Sequence, residues 1–439
     1  MQWTNSLYER PKESTFVTEE EQVEEIIQSC TSDYAAYNPL CPSPKSEEQE
    51  RIMNKKFDQF IYLDNNATAP VLKSVKEKIN GVAEMVGNGS SDHEAGVKVR
   101  AYIEQARVNI ANVLSVDPES LLFTASGSES NNTIIKGFAL KHLNNGSAAT
   151  TIITTPYEHK SILKSLEYLA DKLDYEIKYL PLDKNGVVDV DYVRSWLTSS
   201  TKYEHDIALV SIMAANNETG VLNPVDKIMG WFKDLDEDIF THTDACQLLG
   251  KEAMISLANI DAATFTAHKF GGPIGVSAMY LKDKESIDPL IHGGNQEFKM
   301  RAGTYNAPLI FGMSAAVLEI NYDNIQDMLK KREYLESELK KNFNCKINGA
   351  GTLRLVNTTS VTFETKILAE KMVQKLSDIG IFVSTSSACN SREKKPSYVL
   401  KAMGLTDEEA YRTLRISSSP LTTYGQLNIF LAELAKIVN

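Results

Sequence analysis

The sequence predicts an α/β protein with a mostly parallel sheet covered by helices on both faces. Two observations lead there. From Phe57 onward, short β-rich apolar runs alternate with segments whose apolar residues recur at spacings of three and four. Polar motifs rich in small residues then follow directly on those runs, at strand carboxyl ends, where sheets of this kind bind ligands. In order, the runs are 121–124, 151–154, 207–212 and 262–265, and the clearest helical segments between them are 97–114 and 161–173.

Residues 1–57 read differently. They hold 11 acidic and 6 basic side chains, one plausible helix from Thr18 to about Cys30, and an irregular stretch around Pro39, Pro42 and Pro44. This leader reads as a solvated extension, with a docking or regulatory arm as the alternative. Over the whole chain, 46 basic against 58 acidic residues leave a formal charge of −12, which disfavours nonspecific binding to nucleic acid or anionic membrane. The five cysteines are an odd number, and no two sit at CxxC spacing. That argues against a disulfide framework or zinc site and for a reducing compartment. With no apolar span and no signal-like N-terminus, the expectation is a soluble cytoplasmic protein without direct nucleic-acid or membrane partners.

The polar motifs carry the chemistry. After the first run comes Thr124-Ala125-Ser126-Gly127-Ser128-Glu129-Ser130-Asn131-Asn132, a strand-to-helix turn whose amides and Ser128 hydroxyl could hold an anion; alone, a plain Ser/Asn helix cap is the better explanation. His159 follows the second run and could lie over a flat ring, or be an ordinary imidazole. Met213-Ala214-Ala215-Asn216-Asn217 follows the third and also suits a simple turn. Asp244 ends the run at 239–244. A lone carboxylate there needs a cation, such as a protonated pyridine nitrogen, unless it caps a helix starting near Ala245. Gln247 lies three residues on, and 25 residues separate Asp244 from Lys269 in Thr266-Ala267-His268-Lys269. A lysine beside another cation at a strand end is a Schiff-base candidate. Cys389 sits in a small, polar loop with Arg392, Lys394 and Lys395, which favour its thiolate. Of the five cysteines it has the most reactive setting, whereas Cys246 reads as packing.

Taken together, these segments resemble the class V aminotransferase family of fold-type I, pyridoxal-phosphate-dependent enzymes, and within it the cysteine desulfurases with a long active-site loop. The resemblance runs from Tyr62-Leu63-Asp64-Asn65-Asn66-Ala67-Thr68 to Thr413-Leu414-Arg415-Ile416-Ser417, about four-fifths of the chain. It implies a large domain with a seven-stranded, mostly parallel sheet and a smaller α+β C-terminal domain. The expected divisions are a leader 1–57, a segment 58–72 packing on the small domain, a large domain 73–325, and a small domain 326–439 carrying the cysteine loop.

The resemblance also implies roles. Lys269 would bond covalently to pyridoxal 5'-phosphate and act as base. Asp244 would pair with the ring nitrogen, Gln247 would bond the phenolic oxygen, and His159 would stack on the ring. Gly127, Ser128, Thr266 and His268 would hold the phosphate, joined by Thr304 from the other subunit of a homodimer. Asn217 and Arg415 would bind the carboxylate of L-cysteine. Cys389 would take the sulfur as a persulfide, release alanine, and pass the sulfur to an acceptor protein serving iron–sulfur assembly, tRNA thiolation or DNA phosphorothioation. The alternatives are another enzyme of the family, such as a selenocysteine lyase or aminotransferase, or a non-catalytic scaffold. The chain departs from the family pattern at Asn295, at Thr266 and at Ser418-Ser419-Pro420, and the family's long scaffold-docking tail is expected to be absent.

Overall fold

The computed structural model describes residues 60–199, 206–252, 256–385 and 395–438. The leader helix expected at Thr18, together with Cys30, Cys41, Cys389, Arg392 and Lys394, lies outside the described residues.

The central sheet is built from β2 to β8, which follow a short first strand, β1 (Ile61–Tyr62). They are β2 (Leu121–Thr124), β3 (Thr151–Thr154), β4 (Glu176–Tyr179), β5 (Ile207–Ser211), β6 (Phe240–Asp244), β7 (Ala262–Thr266) and β8 (Ser277–Leu281). Their order across the seven-stranded sheet is β2-β8-β7-β6-β5-β3-β4, and β8 alone runs antiparallel to its neighbours. The four runs read from sequence are β2, β3, β5 and β7, with the third ending one residue early at Ser211.

Alternation along each strand explains why helices cover both faces. Leu121, Phe123, Ile153, Val210, Ala263 and Phe265 enter one apolar cluster, while Leu122, Ile152, Leu209 and Ala262 enter another. The first cluster includes Val99, Ile103, Ala106 and Ile110 of α2 (Glu94–Leu114), which follows α1 (Lys73–Ala83). The second includes Ile134 and Phe138 of α3 (Gly127–Asn144) and Ile162, Leu166 and Leu169 of α4 (Lys160–Leu173). Strands buried on both faces read as near-continuous apolar runs, as these do.

A four-stranded antiparallel sheet forms the C-terminal part, in the order β12-β13-β10-β9. Its strands are β9 (Cys345–Ile347), β10 (Thr358–Phe363), β12 (Ser384–Thr385) and β13 (Thr413–Ser417), with β11 (Ile381–Phe382) pairing parallel to β1. Leu63, just after β1, is buried in the same cluster as Phe363, Met372, Leu414 and Phe430. The segment that begins the body of the chain is therefore packed into the C-terminal core, and this carries the Asp64-Asn65-Asn66 motif to the edge of the central sheet. No helix among the described residues is long and apolar enough to cross a membrane.

Candidate active site

The motifs converge at the carboxyl ends of β2, β6 and β7. Ser126 caps α3, its Oγ accepting from Glu129 N at 3.1 Å. The amides of Gly127 and Ser128, in the first turn, have no acceptor within the helix. Glycine is required at 127: a Cβ there would lie 2.8 Å from Cys246 Sγ, with Thr264 and Thr266 just beyond. Close approach thus sets the positive end of α3 against the ends of β6 and β7.

Asp244 closes β6 and is buried. The helix-cap alternative fails, because 246–250 is a turn and no helix follows it directly. Its Oδ1 accepts from Cys246 N at 3.0 Å and its Oδ2 from Asn131 Nδ2 at 2.8 Å. Among the described residues no lysine, arginine or histidine forms an ion pair with it. Asn131 Nδ2 also donates to Ser161 Oγ at 2.9 Å, and that hydroxyl bonds His159 Nδ1 at 2.8 Å. Ser161 N donates to the same Nδ1, which fixes it as an acceptor and leaves the proton of the neutral ring on Nε2. Burial pushes the His159 pKa down, so the neutral ring is favoured. Burial also pushes the Cys246 thiol up, away from the nucleophilic form, in keeping with a packing role.

Lys269 ends a short 3₁₀ turn after β7. Its Nζ donates to the carbonyls of Asn66 and Ala67, both at 2.7 Å. Gln247 Nε2 donates to the same Asn66 carbonyl at 3.1 Å, so the lysine and the amide share one oxygen. Thr266 is buried, its Oγ1 accepting from Ser277. His268 is held down at about 4, chiefly by burial and next by the charge on Lys269, so it too is neutral near pH 7. Its Nδ1 is buried and has no protein partner.

Arg415, on β13, is buried and pairs through Nη2 with Asp64 Oδ1 at 2.6 Å, while Nη1 donates to the Asn217 carbonyl at 3.2 Å. Asn66 Nδ2 reaches the same carbonyl at 3.1 Å and Thr358 Oγ1 at 2.8 Å. The two sheets are therefore stitched together at Asn66, whose side chain bonds the Asn217 carbonyl while its own carbonyl accepts from Lys269. Thr304 stands apart. It is exposed, on the wall of a separate cavity of about 230 Å³ with Thr124, Glu297 and Arg301. Ser418, Ser419 and Pro420 line a different cavity of about 360 Å³, which Lys251 and Lys269 also line.

Four residues with a place in this network escaped the sequence reading: Asn66, Asn131, Ser161 and Lys251. Asn66 and Asn131 lie within motifs already singled out, while Lys251 has no local signal at all. The ensemble combines a buried carboxylate without a cation, a lysine amine and free helix-terminal amides. It suits a ligand with a basic ring nitrogen, an electrophilic carbonyl carbon and a phosphate.

Glu218 gives the site a pH dependence. Burial pushes its carboxyl from 4.5 up to about 7, partly offset by the hydrogen bond from Ser397 Oγ and the charge of Arg415. The folded chain then holds this proton more tightly than the unfolded one. Its contribution to stability is complete below pH 4.5 and is lost as the pH rises to about 7. Glu218→Gln is expected to lessen the fall in urea midpoint between pH 5 and pH 8; an unchanged fall would contradict the assignment.

Residues 61–430 match the family described as aminotransferase class-V. Cysteine desulfurase IscS of Methanosarcina thermophila is 38% identical over 387 residues, 87% of this chain and 92% of that protein. Cysteine desulfurase IscS of Dictyoglomus turgidum is 37% identical over 385 residues, 86% and 94% of the two chains. Among solved structures, a NifS-like protein matches with a TM-score of 0.78 at 36% identity, over 86% of this chain and 99% of that one. SspA in complex with cysteine matches with a TM-score of 0.71 at 31% identity, over 83% and 100%. With the family match spanning most of its length and relatives 38% and 37% identical over most of both chains, this chain belongs to the class-V aminotransferases, among the cysteine desulfurases, and is an enzyme.

Proposed function

We propose that the protein uses pyridoxal 5'-phosphate to convert L-cysteine to L-alanine, taking the sulfur onto Cys389 as a persulfide for delivery to an acceptor protein. The observation that carries this reading is Asp244: a buried carboxylate with both oxygens hydrogen-bonded and no cation beside it, in the same cluster as Lys269. A protonated pyridine nitrogen supplies the missing charge. The helix-terminal amides of Gly127 and Ser128 fit a phosphate, together with Thr266 and the unpartnered Nδ1 of His268. When bound, the cofactor supplies an electron sink for the carbanion at the substrate α-carbon.

The chain's own residues do the rest. Arg415 and Asn217 bind the cysteine carboxylate, the arginine through its planar fork. Lys269, already held by two carbonyls, takes the α-proton. His159, neutral and protonated on Nε2, would stack on the ring of the bound cofactor, where it would be placed to donate that proton. The Cys389 thiolate attacks the substrate sulfur; the carbon–sulfur bond breaks, its electron pair stays with the carbon skeleton, and alanine leaves after protonation.

We further propose that the protein works in the cytoplasm as a homodimer in which Thr304 reaches the phosphate of the other subunit; its exposure apart from its own site supports this. The proposed divisions are the leader 1–57, the segment 58–72, the large domain 73–325 and the small domain 326–439. Iron–sulfur assembly or a thiolation pathway would consume the sulfur. Cys389→Ser tests the central step. The variant is expected to stay yellow with cofactor and to lose alanine and sulfide release by about a hundredfold or more. Activity equal to wild type would overturn the transfer role.

A further inference from the structure

Lys251 is buried at the back of this site, next to the charges of Lys269 and Arg415. Among the described residues no carboxylate pairs with it. A buried lysine with two cationic neighbours and no counter-ion is costly to keep, which asks for a reason. Its Nζ donates to Gln247 Oε1 at 2.6 Å and to Asn66 Oδ1 at 3.2 Å. Gln247 Nε2 in turn donates to the Asn66 carbonyl at 3.1 Å, closing a small ring of Lys251, Gln247 and Asn66.

The ring removes a freedom that a glutamine otherwise has. A terminal amide can turn over and exchange its donor for its acceptor at little cost. Here Oε1 is tied to a group that can only donate in its charged form, and Nε2 is tied to a carbonyl that can only accept. Turned over, the amide would set oxygen against oxygen at Asn66. One of the two Nε2 hydrogens is used on Asn66, and the other is left to donate elsewhere.

We propose that Lys251 is a positioning residue for the cofactor: it locks the Gln247 amide so that its remaining N–H, and not its oxygen, meets the phenolic oxygen of the ring. The proposal rests on the pyridoxal-phosphate reading and deepens it. When the amine is neutral and could also accept, the Asn66 carbonyl still forbids the turned-over amide, so the lock holds in either charge state. Burial, then Lys269 and Arg415, push the ammonium well below its usual range. In a low-dielectric site a donor aimed at a phenolate stabilises the deprotonated, electron-rich form, and an acceptor in its place opposes it.

The test uses full-length protein reconstituted with pyridoxal 5'-phosphate. The pH midpoint of the yellow absorbance band and the dissociation constant of the cofactor are measured for wild type, Lys251→Met, Gln247→Ala and the double variant. Lys251→Met is expected to raise the midpoint by about one unit and to weaken cofactor binding by about tenfold, the scale of one hydrogen bond to a charged group. Gln247→Ala is expected to do the same, and the double variant no more than Gln247→Ala alone, since both changes remove one interaction. If Lys251→Met titrates like wild type, or if its effect adds in full to that of Gln247→Ala, the lock is wrong. A wild type that stays colourless overturns the cofactor reading itself, whereas a yellow wild type with an unshifted variant overturns only the lock. Should Lys251→Met fail to fold, Lys251→Leu, which also lacks any donor, decides by the same criteria.

Discussion

Lys269→Gln is expected to leave a folded protein that no longer carries pyridoxal 5'-phosphate covalently. The amine is the only group at this position that can bond the cofactor's carbonyl carbon, and glutamine, one bond shorter, keeps a donor while lacking that nucleophile. Reduction with borohydride should then incorporate the cofactor into wild type at Lys269 and nowhere in the variant. Alanine release should fall by about 10⁴-fold or more, because one side chain supplies both the covalent anchor and the proton transfer. The fold should survive, since the lysine's hydrogen bonds go to two carbonyls in a partly open setting, Asn66 and Ala67, and the amide still offers a donor. Label appearing on another residue, or unchanged turnover, would remove the basis of the proposed chemistry.

How far such a site can be read from sequence depends on where its partners lie along the chain. Asp244, Gln247 and Lys269 were legible because each follows an apolar run, and the end of a run marks the edge of a parallel sheet. The two-sided burial was legible too, since β5 and β7 are apolar or small at nearly every position. The antiparallel β8 was not, because strand direction leaves no local pattern. Nor was the turn after Asp244: an Asx bond to Cys246 N and a helix cap begin with the same residue. Lys251 and Asn66 are separated by 185 residues and joined by one hydrogen bond. Nothing in their neighbourhoods distinguishes them from a surface lysine and a loop asparagine. Likewise Asn131 was visible as part of a Ser/Asn turn, but its bond to a carboxylate 113 residues on was not.

The left-handed turn at Glu297, Phe298 and Lys299 shows the same limit and leads to the largest expected loss of stability. Positive φ values of 49°, 55° and 70° at three consecutive non-glycine residues cost about 1–2 kcal/mol each and give no glycine signal in the sequence. What holds the turn is the Glu297 carboxylate, which is buried. It receives Arg107 Nη1 and Nη2 at 2.9 and 2.8 Å and Phe123 N at 2.6 Å, while Glu297 N donates to Tyr305 Oη at 3.0 Å. Arg107 is itself buried, against the rings of Phe123 and Phe298. Glu297→Ala therefore strands a buried guanidinium, orphans the Phe123 amide and releases a strained turn together, an expected loss of about 3–5 kcal/mol by urea unfolding. Glu104, half-exposed and paired with the same arginine at 3.0 Å, is the control; its alanine variant should cost no more than about 1 kcal/mol. Replacing both buried partners, as Arg107→Met with Glu297→Leu, should recover part of the loss, because two apolar side chains need no desolvation. The effect should reach the site as well. Phe123 lies on β2, three residues before the Ser126 cap, and Arg301 of the same segment bonds Glu129, which in turn accepts from Ala125 N. Loosening the turn should thus weaken cofactor retention along with stability. A Glu297→Ala variant that unfolds at the wild-type midpoint would show that this buried pair is not what holds the turn in place.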